Sequence, residues 1–182
     1  MKTSLRALPL ALLGLLPGAC SGPPRADPAK VVGAKFPTVR GEDLDGTPKT
    51  LPADLAGKPA LLFVGFKQDT QFDIDRWMIA LTMLKTPVDI YEIPTISGLM
   101  PGLFANAIDG GMREGIPREA WKSVITVYRD AGTIEAFTGR EPAMPARVLL
   151  LDRDGTVVWF HDRGFAPGLA QELDGKVRGL GT

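Results

Sequence analysis

The stretch ALLFVGF, residues 60–66, decides the fold class of this chain. It is apolar throughout, has the length of one strand, and is followed by a polar loop before the next apolar pattern begins. A short run of this kind fits a strand that is buried on both faces, as in the centre of a sheet with parallel strands. Residues 60–66 therefore predict the central strand of an α/β domain.

The segments after this strand alternate between helical and strand patterns. Ile74, Trp77 and Leu81 recur at spacings of three and four, which predicts a helix with one apolar stripe. Thr70 and Asp73 have the spacing of a capping box at the start of that helix. The later predicted strands are Val88–Ile93 and Ser123–Tyr128, and the later predicted helices are residues 99–108, 131–137 and 167–177. This alternation predicts a sheet with helices on its faces.

Two turn signals predict hairpins. Asp152-Arg153-Asp154-Gly155 separates the apolar segments 147–151 and 156–160, which is a specific strand, turn, strand pattern. The pair Asp45-Gly46 lies within residues 44–51 and predicts a smaller hairpin ahead of the central strand.

The first residues have the order of a bacterial secretory signal. Lys2 and Arg6 precede the apolar segment 7–16, and small residues lead from there to Cys20. The apolar segment is shorter than the roughly 20 residues that cross a bilayer as a helix. Small residues directly before a cysteine resemble a lipobox, so Cys20 is predicted to carry acyl chains such as palmitate. The other interpretation is a plain signal peptide with an incidental cysteine.

The residues after Cys20 favour the lipoprotein interpretation. Residues 21–28 contain three prolines and no side chain able to join a core, as expected of a spacer between an anchor and a domain. We therefore expect a signal peptide over 1–19, a lipid anchor and flexible tether over 20–30, and one domain over 31–182. This arrangement predicts a lipid-anchored protein of the bacterial envelope whose domain faces the periplasm or the outside.

The composition argues against several classes of function. The chain has 21 basic and 21 acidic residues without a run of like charge, so nucleic acid is not an expected partner. It has one cysteine and one histidine, His161, so no disulfide is expected inside the domain. A lone histidine beside scattered methionines does not suggest a metal site either. Neither a metal nor a cofactor is therefore expected.

Three stretches resemble the thioredoxin superfamily, and peroxiredoxins in particular. They are residues 33–46 together with the apolar strand at 61–66, residues 129–137, and residues 144–158. The resemblance implies a thioredoxin-like three-layer α/β/α sandwich with a central mixed sheet and an N-terminal hairpin extension. It also implies that Pro145 is the cis-proline of that fold.

The loop after the central strand departs from the catalytic relatives, which carry a reactive cysteine at the start of the following helix. Residues 67–72 contain no cysteine, and Thr70 has no histidine near it in sequence that would activate its hydroxyl. A cysteine-free branch related to the mitochondrial assembly factor for the membrane sector of ATP synthase resembles the chain more closely. The matching residues are Gln71, Trp77 and the segment 111–113. This resemblance implies a chaperone or assembly role at a membrane, without enzyme activity in the domain.

The first candidate partner-binding residues lie at two predicted element ends. Lys67, Gln71 and Arg76 lie at or near the start of the helix that follows the central strand, where anionic groups are attracted. Tyr91 and Glu92 lie at a strand end, at the edge where open α/β sheets bind ligands. A solvated surface is the alternative interpretation for both groups.

A further candidate is a short glycine-containing segment. Asp109, Gly110, Gly111, Met112 and Arg113 are interpreted either as a recognition loop, since glycine lets backbone approach a partner closely, or as the point where the preceding helix stops.

Two hypotheses for the function follow. The first is a non-catalytic thioredoxin-like lipoprotein that binds a protein partner in the envelope, such as a membrane complex under assembly, and contacts the membrane through its lipid anchor. The alternative is a peroxiredoxin-like or thiol–disulfide oxidoreductase enzyme that uses Cys20 or a thiol supplied by a partner.

Overall fold

The computed structural model describes residues 25–98 and 101–181, with the backbone alone for residues 101–104. The predicted signal peptide, residues 1–19, and the predicted lipidation at Cys20 lie outside the described residues. None of the helices within the described ranges is long and apolar enough to cross a membrane.

Strands and helices alternate along the chain, as the sequence predicts. The strands are β1 (Val39–Asp43), β2 (Pro48–Leu51), β3 (Ala60–Gly65), β4 (Asp89–Pro94), β5 (Ile125–Thr126), β6 (Arg147–Leu151) and β7 (Val157–His161). The helices are α1 (Pro28–Val31), α2 (Gln71–Leu84), α3 (Pro101–Gly115), α4 (Ala131–Thr138) and α5 (Pro167–Gly179). Single 3-10 turns lie at Ala53–Leu55, Gln68–Thr70 and Arg118–Ser123.

The central sheet has the strand order β4-β3-β6-β7. Strand β3 is parallel to β4, whereas β6 is antiparallel to both β3 and β7. The side chains of residues 60–64 are buried, as expected of the apolar run in the middle of the sheet. The predicted hairpin turns at Gly155, whose φ of 78° is a conformation that glycine adopts without strain. The predicted central mixed sheet is thus confirmed.

A second, smaller sheet has the order β2-β1-β5 and contains the predicted N-terminal hairpin. Strand β5 is shorter than the predicted strand 123–128 and pairs antiparallel with β1, while Val124 and Val127 on either side of it form isolated parallel bridges with Glu92 of β4 and with Thr95 directly after β4. The close approach of β1 requires Gly41, because a Cβ there would lie 2.8 Å from Ile125 Cγ2 and 2.8 Å from the Thr126 carbonyl oxygen. The segment around β5 therefore joins the hairpin extension to the β4 edge of the central sheet.

Each face of the central sheet has its own apolar core. On one face, α2 and α5 bury Trp77, Leu81 and Leu173 against the side chains of β3 and β6. On the other face, Ile134 of α4 and Val39 of β1 belong to a separate cluster with the alternate residues of the same strands. Full burial of one such side chain stabilises the fold by about 1.5–3 kcal/mol. The layers are therefore helices, sheet, and helices with the hairpin, which confirms the predicted α/β/α arrangement.

Helix α3 extends further than the sequence predicts. The pair Gly110-Gly111 was expected to end the helix near residue 108, but α3 continues to Gly115. A glycine in the interior of a helix lowers the stability of that helix by about 1 kcal/mol relative to alanine. Contacts made by Asp109 and Arg113, on either side of the pair, offset this cost, as described below. The start of the predicted helix at Leu99 lies outside the described residues.

Helix α1 begins inside the stretch predicted as a tether. Asp27 Oδ1 accepts a hydrogen bond from the Ala29 N–H, and Pro28 occupies the first helical position, where its missing N–H has no consequence. The side chain of Val31 is buried. Residues 28–30 are therefore helical, and Arg25 forms an ion pair of 3.1 Å with Asp162 just after β7.

Candidate functional site

The place where catalytic relatives carry a thiol is the junction between β3 and α2. Thr70 precedes α2, and its side chain is buried. Its hydroxyl donates to the Ala143 carbonyl oxygen over 3.4 Å. The hydroxyl is thus turned inward and is engaged with a backbone carbonyl.

Asp73, in the first turn of α2, holds together the two segments that face this junction. Its Oδ2 accepts from the Ala146 N–H at 3.1 Å, and its Oδ1 accepts from the Phe165 N–H at 2.8 Å. Arg76 Nη2 lies 3.2 Å from the same Oδ1. The predicted capping box is therefore wrong, because the carboxylate bonds to two distant backbone groups and Thr70 makes no side-chain cap. The Asp73 carboxylate accepts from these two distant N–H groups instead of from the backbone at the start of its own helix.

Arg147, the first residue of β6, is fully buried beside the same loop. Its Nε donates to Gly139 O at 3.1 Å, and its Nη1 donates to Pro142 O and Pro145 O at 2.8 and 2.7 Å. The guanidinium carbon lies 5.1 Å from the centre of the Phe66 ring, a cation–π contact. Burial lowers the pKa of the Arg147 guanidinium, while the charge of Asp162 opposes that shift. Arg147 thus fixes the loop 139–146 that precedes β6.

The predicted cis-proline at Pro145 is wrong. Within the described ranges, the cis peptide bonds precede Pro52 and Pro142. The bond before Pro145 is trans, and the chain enters β6 with the Pro145 carbonyl directed at Arg147 and the Ala146 N–H directed at Asp73. These two side-chain contacts determine the local path of the backbone.

A cleft with a volume of about 340 Å³ opens between the start of α2, the loop before β6 and the segment after β7. The residues that line it are Asp69, Phe72, Asp73, Arg76, Met144, Pro145, Arg163, Gly164 and Phe165. Phe72 is 71% exposed and Met144 is 45% exposed, although both are large apolar side chains. Arg76 and Arg163 add exposed cations. The lining also includes the carboxylates of Asp69 and Asp73, so the cleft combines apolar contact groups with charges of both signs.

His161, the one histidine, lies beneath this cleft. It is the last residue of β7, and its Nε2–H donates to Gly164 O over 2.9 Å. Its ring is stacked on Trp159 at a centroid distance of 5.8 Å. Within the described part of the chain, no cluster of histidine, cysteine and carboxylate side chains has the arrangement of a metal site.

The three candidates at the helix start take different positions. Arg76 lines the cleft, whereas Lys67 is exposed on the preceding loop and is not among the lining residues. Gln71 points to another side of α2, where its Nε2 donates to Asp75 Oδ1 at 2.9 Å and its side chain lies near enough to Glu92 to lower the pKa of that carboxyl. The structure therefore brings Gln71 and Glu92 together and separates them from the cleft.

Tyr91 and Glu92 lie on opposite faces of β4. Tyr91 packs against the core shared with the hairpin, and burial together with the nearby Asp89 raises the pKa of its phenol. Burial also raises the pKa of Glu92, and the neighbouring Asp75 adds to that effect. The nearby side chain of Gln71 opposes the pKa shift of Glu92.

Residues 109–113 are part of α3 and do not form a loop. The side chain of Asp109 is buried and accepts from the Tyr128 hydroxyl at 2.7 Å. Arg113 Nε donates to Leu44 O at 2.7 Å, and its guanidinium lies 6.0 Å from the Trp121 ring centre. Gly110, Gly111 and Met112 lie between these two anchors. The polar residues of this segment therefore attach α3 to the rest of the domain.

The attachment of α3 gives a first testable prediction. Tyr128→Phe removes the donor to the buried Asp109 carboxylate, so we expect the free energy of unfolding to fall by about 1–3 kcal/mol. Urea unfolding measures this loss, and amide hydrogen exchange should show the fastest gain along α3. Tyr91→Phe is the matched control and should change stability by less than about 0.5 kcal/mol. An equal loss in both variants would contradict the assigned role of Tyr128.

Glu92 gives a prediction about pH. Because burial raises its folded-state pKa above 4.5, the protonated form favours folding, and this contribution is lost as pH rises through the folded pKa. Glu92→Gln removes the charge, so the variant should be more stable than the wild type at neutral pH. This gain should disappear below pH 4.5 in urea unfolding experiments. A variant that is less stable at neutral pH would refute the prediction, and Glu114→Gln on the exposed side of α3 serves as the control.

Several residues of the site could not be identified from the sequence. Phe72, Met144 and Arg163 line the cleft, and Asp73 and Arg147 fix its walls. One available signal is that Phe72 lies off the apolar stripe of its helix, at a position where a core-facing residue is not expected. The role of Arg147 has no local signal, because it depends on carbonyl groups that only the tertiary structure assembles.

The comparisons with known proteins confirm the thioredoxin-like fold. No family model matches the chain, and no curated protein matches it significantly in sequence. Among solved structures, a putative electron transfer protein from Aquifex aeolicus has a TM-score of 0.59 at 19% identity, covering 82% of this chain and 97% of its own. A SCO1/SenC family lipoprotein from Bacillus anthracis has a TM-score of 0.56 at 13% identity, with 82% and 96% covered. The exposed lipoprotein thioredoxin Etrx1 from Streptococcus pneumoniae has a TM-score of 0.53 at 13% identity, with 77% and 99% covered.

Proposed function

Because the chain has the thioredoxin-like fold, we propose that it is a non-catalytic, lipid-anchored envelope protein that binds another protein. One observation carries this proposal: the junction between β3 and α2 holds Thr70 and Asp73, both engaged in internal hydrogen bonds, where catalytic relatives carry a thiol. Neither side chain is exposed to a substrate in the form that nucleophilic chemistry requires.

The cleft at this junction supports binding. Phe72 and Met144 expose apolar surface on a protein whose other large apolar side chains are mostly buried. Exposed apolar surface beside polar groups is typical of a protein interaction site. Arg76 and Arg163 flank it together with Asp69 and Asp73, so a segment with apolar side chains and charged groups of both signs fits its chemistry.

The location in the envelope rests on Cys20 and its neighbours. The signal-like residues 1–19 and the small residues before Cys20 support lipidation. Solved structures with the same fold include proteins described as lipoproteins, which agrees with this proposal. The more specific role in assembling a membrane complex rests on the resemblance of Gln71, Trp77 and residues 111–113 to the ATP synthase assembly factor branch.

The decisive experiment captures the partner in intact cells. A photoreactive amino acid at position 72, in the cleft, should crosslink the full-length protein to an envelope protein, whereas the same amino acid at Ala136 on α4 should not. Recovery of membrane subunits of ATP synthase at position 72 supports the assembly role. Crosslinks of equal yield at both positions would overturn the proposed binding site.

Thiol chemistry is tested separately. We expect no peroxide or insulin reduction above buffer, because Cys20 is the only cysteine and is committed to lipid. Cys20→Ser should release the protein from membranes without another biochemical change. A peroxidase signal that depends on Cys20 would favour the alternative, a thiol enzyme, and would remove the non-catalytic proposal.

A further inference from the structure

The outer surface of α2 carries an unusual row of exposed apolar side chains. Phe72, Ile79 and Met83 are 71%, 61% and 80% exposed. With Arg76, they follow spacings of four, three and four along the helix, so they form one continuous line, which we call the outer stripe. The stripe lies away from the buried side of α2, where Trp77 and Leu81 pack against the sheet.

The start of the described chain lies at the same end of the sheet as the start of α2. Arg25 forms an ion pair with Asp162, which directly follows β7. The end of β7 lies beside the beginning of β6, and the beginning of β6 lies beside the end of β3. Helix α2 begins after that end of β3. The first described residue is thus held close to the end of the domain from which the outer stripe extends.

Cys20 precedes Arg25 by five positions. Five residues span at most about 18 Å even when fully extended. A lipid on Cys20 therefore holds this end of the domain near the bilayer surface, because Arg25 is fixed to the domain by its ion pair with Asp162. The nearest large exposed apolar side chains are then those at the start of α2.

We propose that the part of the outer stripe beyond the cleft, Ile79 and Met83, lies on the bilayer, with the helix axis parallel to the membrane plane and Phe72 left facing the cleft. This inference rests on the proposed lipid anchor and adds the face of the domain that contacts lipid. Exposed apolar side chains on one line of a surface helix give the bilayer an apolar contact. Arg76 within the stripe can extend its charge to the headgroups while its methylenes remain among apolar groups, whereas the exposed Asp75 beside it offsets that charge, so the contact is mainly apolar. The cleft would then open at the level of the membrane surface, where segments of a membrane subunit emerge.

The chain offers a direct test, since the lipidated Cys20 leaves an introduced cysteine as the only reactive thiol. The full-length lipidated protein is reconstituted into anionic vesicles with Ile79→Cys or Met83→Cys, each labelled with an environment-sensitive fluorophore. Ala136→Cys, an exposed helical position on the opposite layer, is the matched control. These positions are exposed, so the variants test contact and not folding.

We expect a blue-shifted emission at positions 79 and 83 that is largely lost when the vesicles contain nitroxide-labelled lipid, and neither effect at position 136. Unchanged emission at 79 and 83 on vesicle-bound protein would overturn the inference. Equal quenching at all three positions would also overturn it. Flotation of the same samples with the vesicles tests the anchor independently, so protein that does not float refutes the anchoring proposal itself.

Discussion

Asp73→Ala is expected to lower the free energy of unfolding by about 3 kcal/mol and to separate the walls of the cleft. The substitution leaves the Ala146 and Phe165 N–H groups without their acceptor, and each unsatisfied buried group costs about 1–3 kcal/mol. It also removes a carboxylate from the first turn of α2, where negative charge is favourable. Urea unfolding measures the loss, and hydrogen exchange at the amides of residues 146 and 165 should accelerate more than at other protected sites.

Two further variants make this prediction specific. Asp73→Asn keeps one acceptor oxygen but places an amide group against the second donor, so about half of the loss should remain. Asp75→Ala, on the exposed side of the same helix, should cost no more than about 0.5 kcal/mol. Equal stability of Asp73→Ala and Asp75→Ala would show that Asp73 does not hold the two segments.

Trp77→Ala is the second substitution with a large expected effect. Trp77 is fully buried, and its ring centre lies 5.4 Å from that of Phe165, 6.1 Å from that of Trp159 and 6.4 Å from that of Phe63. Truncation of a buried tryptophan leaves a cavity, so we expect a loss of about 3–5 kcal/mol in unfolding experiments. Because Phe165 also lines the cleft, crosslinking from position 72 should weaken in the same variant.

The comparison with Trp77→Phe separates two contributions to stability, the apolar contact of the ring and the unpaired indole N–H. Within the described residues, Trp77 Nε1 is buried without a hydrogen-bond partner, so replacing the indole by a phenyl ring removes an unsatisfied donor while keeping most of the apolar contact. The loss should therefore be clearly smaller than that of Trp77→Ala. A loss of equal size in the two variants would indicate that the indole N–H contributes to stability, contrary to its surroundings.

The regular parts of the fold follow from local patterns. Residues 60–66 are buried strand β3 and its continuation, the turn at Asp152–Gly155 joins β6 to β7, and Trp77 lies on the buried side of α2 as its spacing indicates. In these places the residue pattern and the final contacts agree, because side-chain burial and local turn geometry determine the structure.

The errors occur where a distant group supplies the deciding contact. Gly110-Gly111 resembles a helix end, yet α3 continues because Asp109 bonds to Tyr128 and Arg113 bonds to Leu44 O. Likewise, Asp73 resembles a local cap but bonds to residues 146 and 165. The residues of each pair lie far apart in sequence, so the pattern within a short stretch of the chain cannot indicate that they are in contact.

The candidate site was predicted only in part. Arg76 lines the cleft at the start of α2, whereas Gln71 and Glu92 face another side and Asp109 and Arg113 attach α3. The exposed apolar residues that distinguish the cleft are recognisable only once the buried side of α2 is known.

The internal hydrogen bonds of Thr70 and Asp73 also determine which substitutions would place a reactive thiol at this junction. A cysteine introduced at position 70 would be buried, and the carboxylate one helical turn away would raise its pKa by like-charge repulsion. A reactive thiol at this junction would therefore need both substitutions, because Thr70→Cys alone gives a buried thiol with a raised pKa and loss of Asp73 alone destabilises both walls of the cleft.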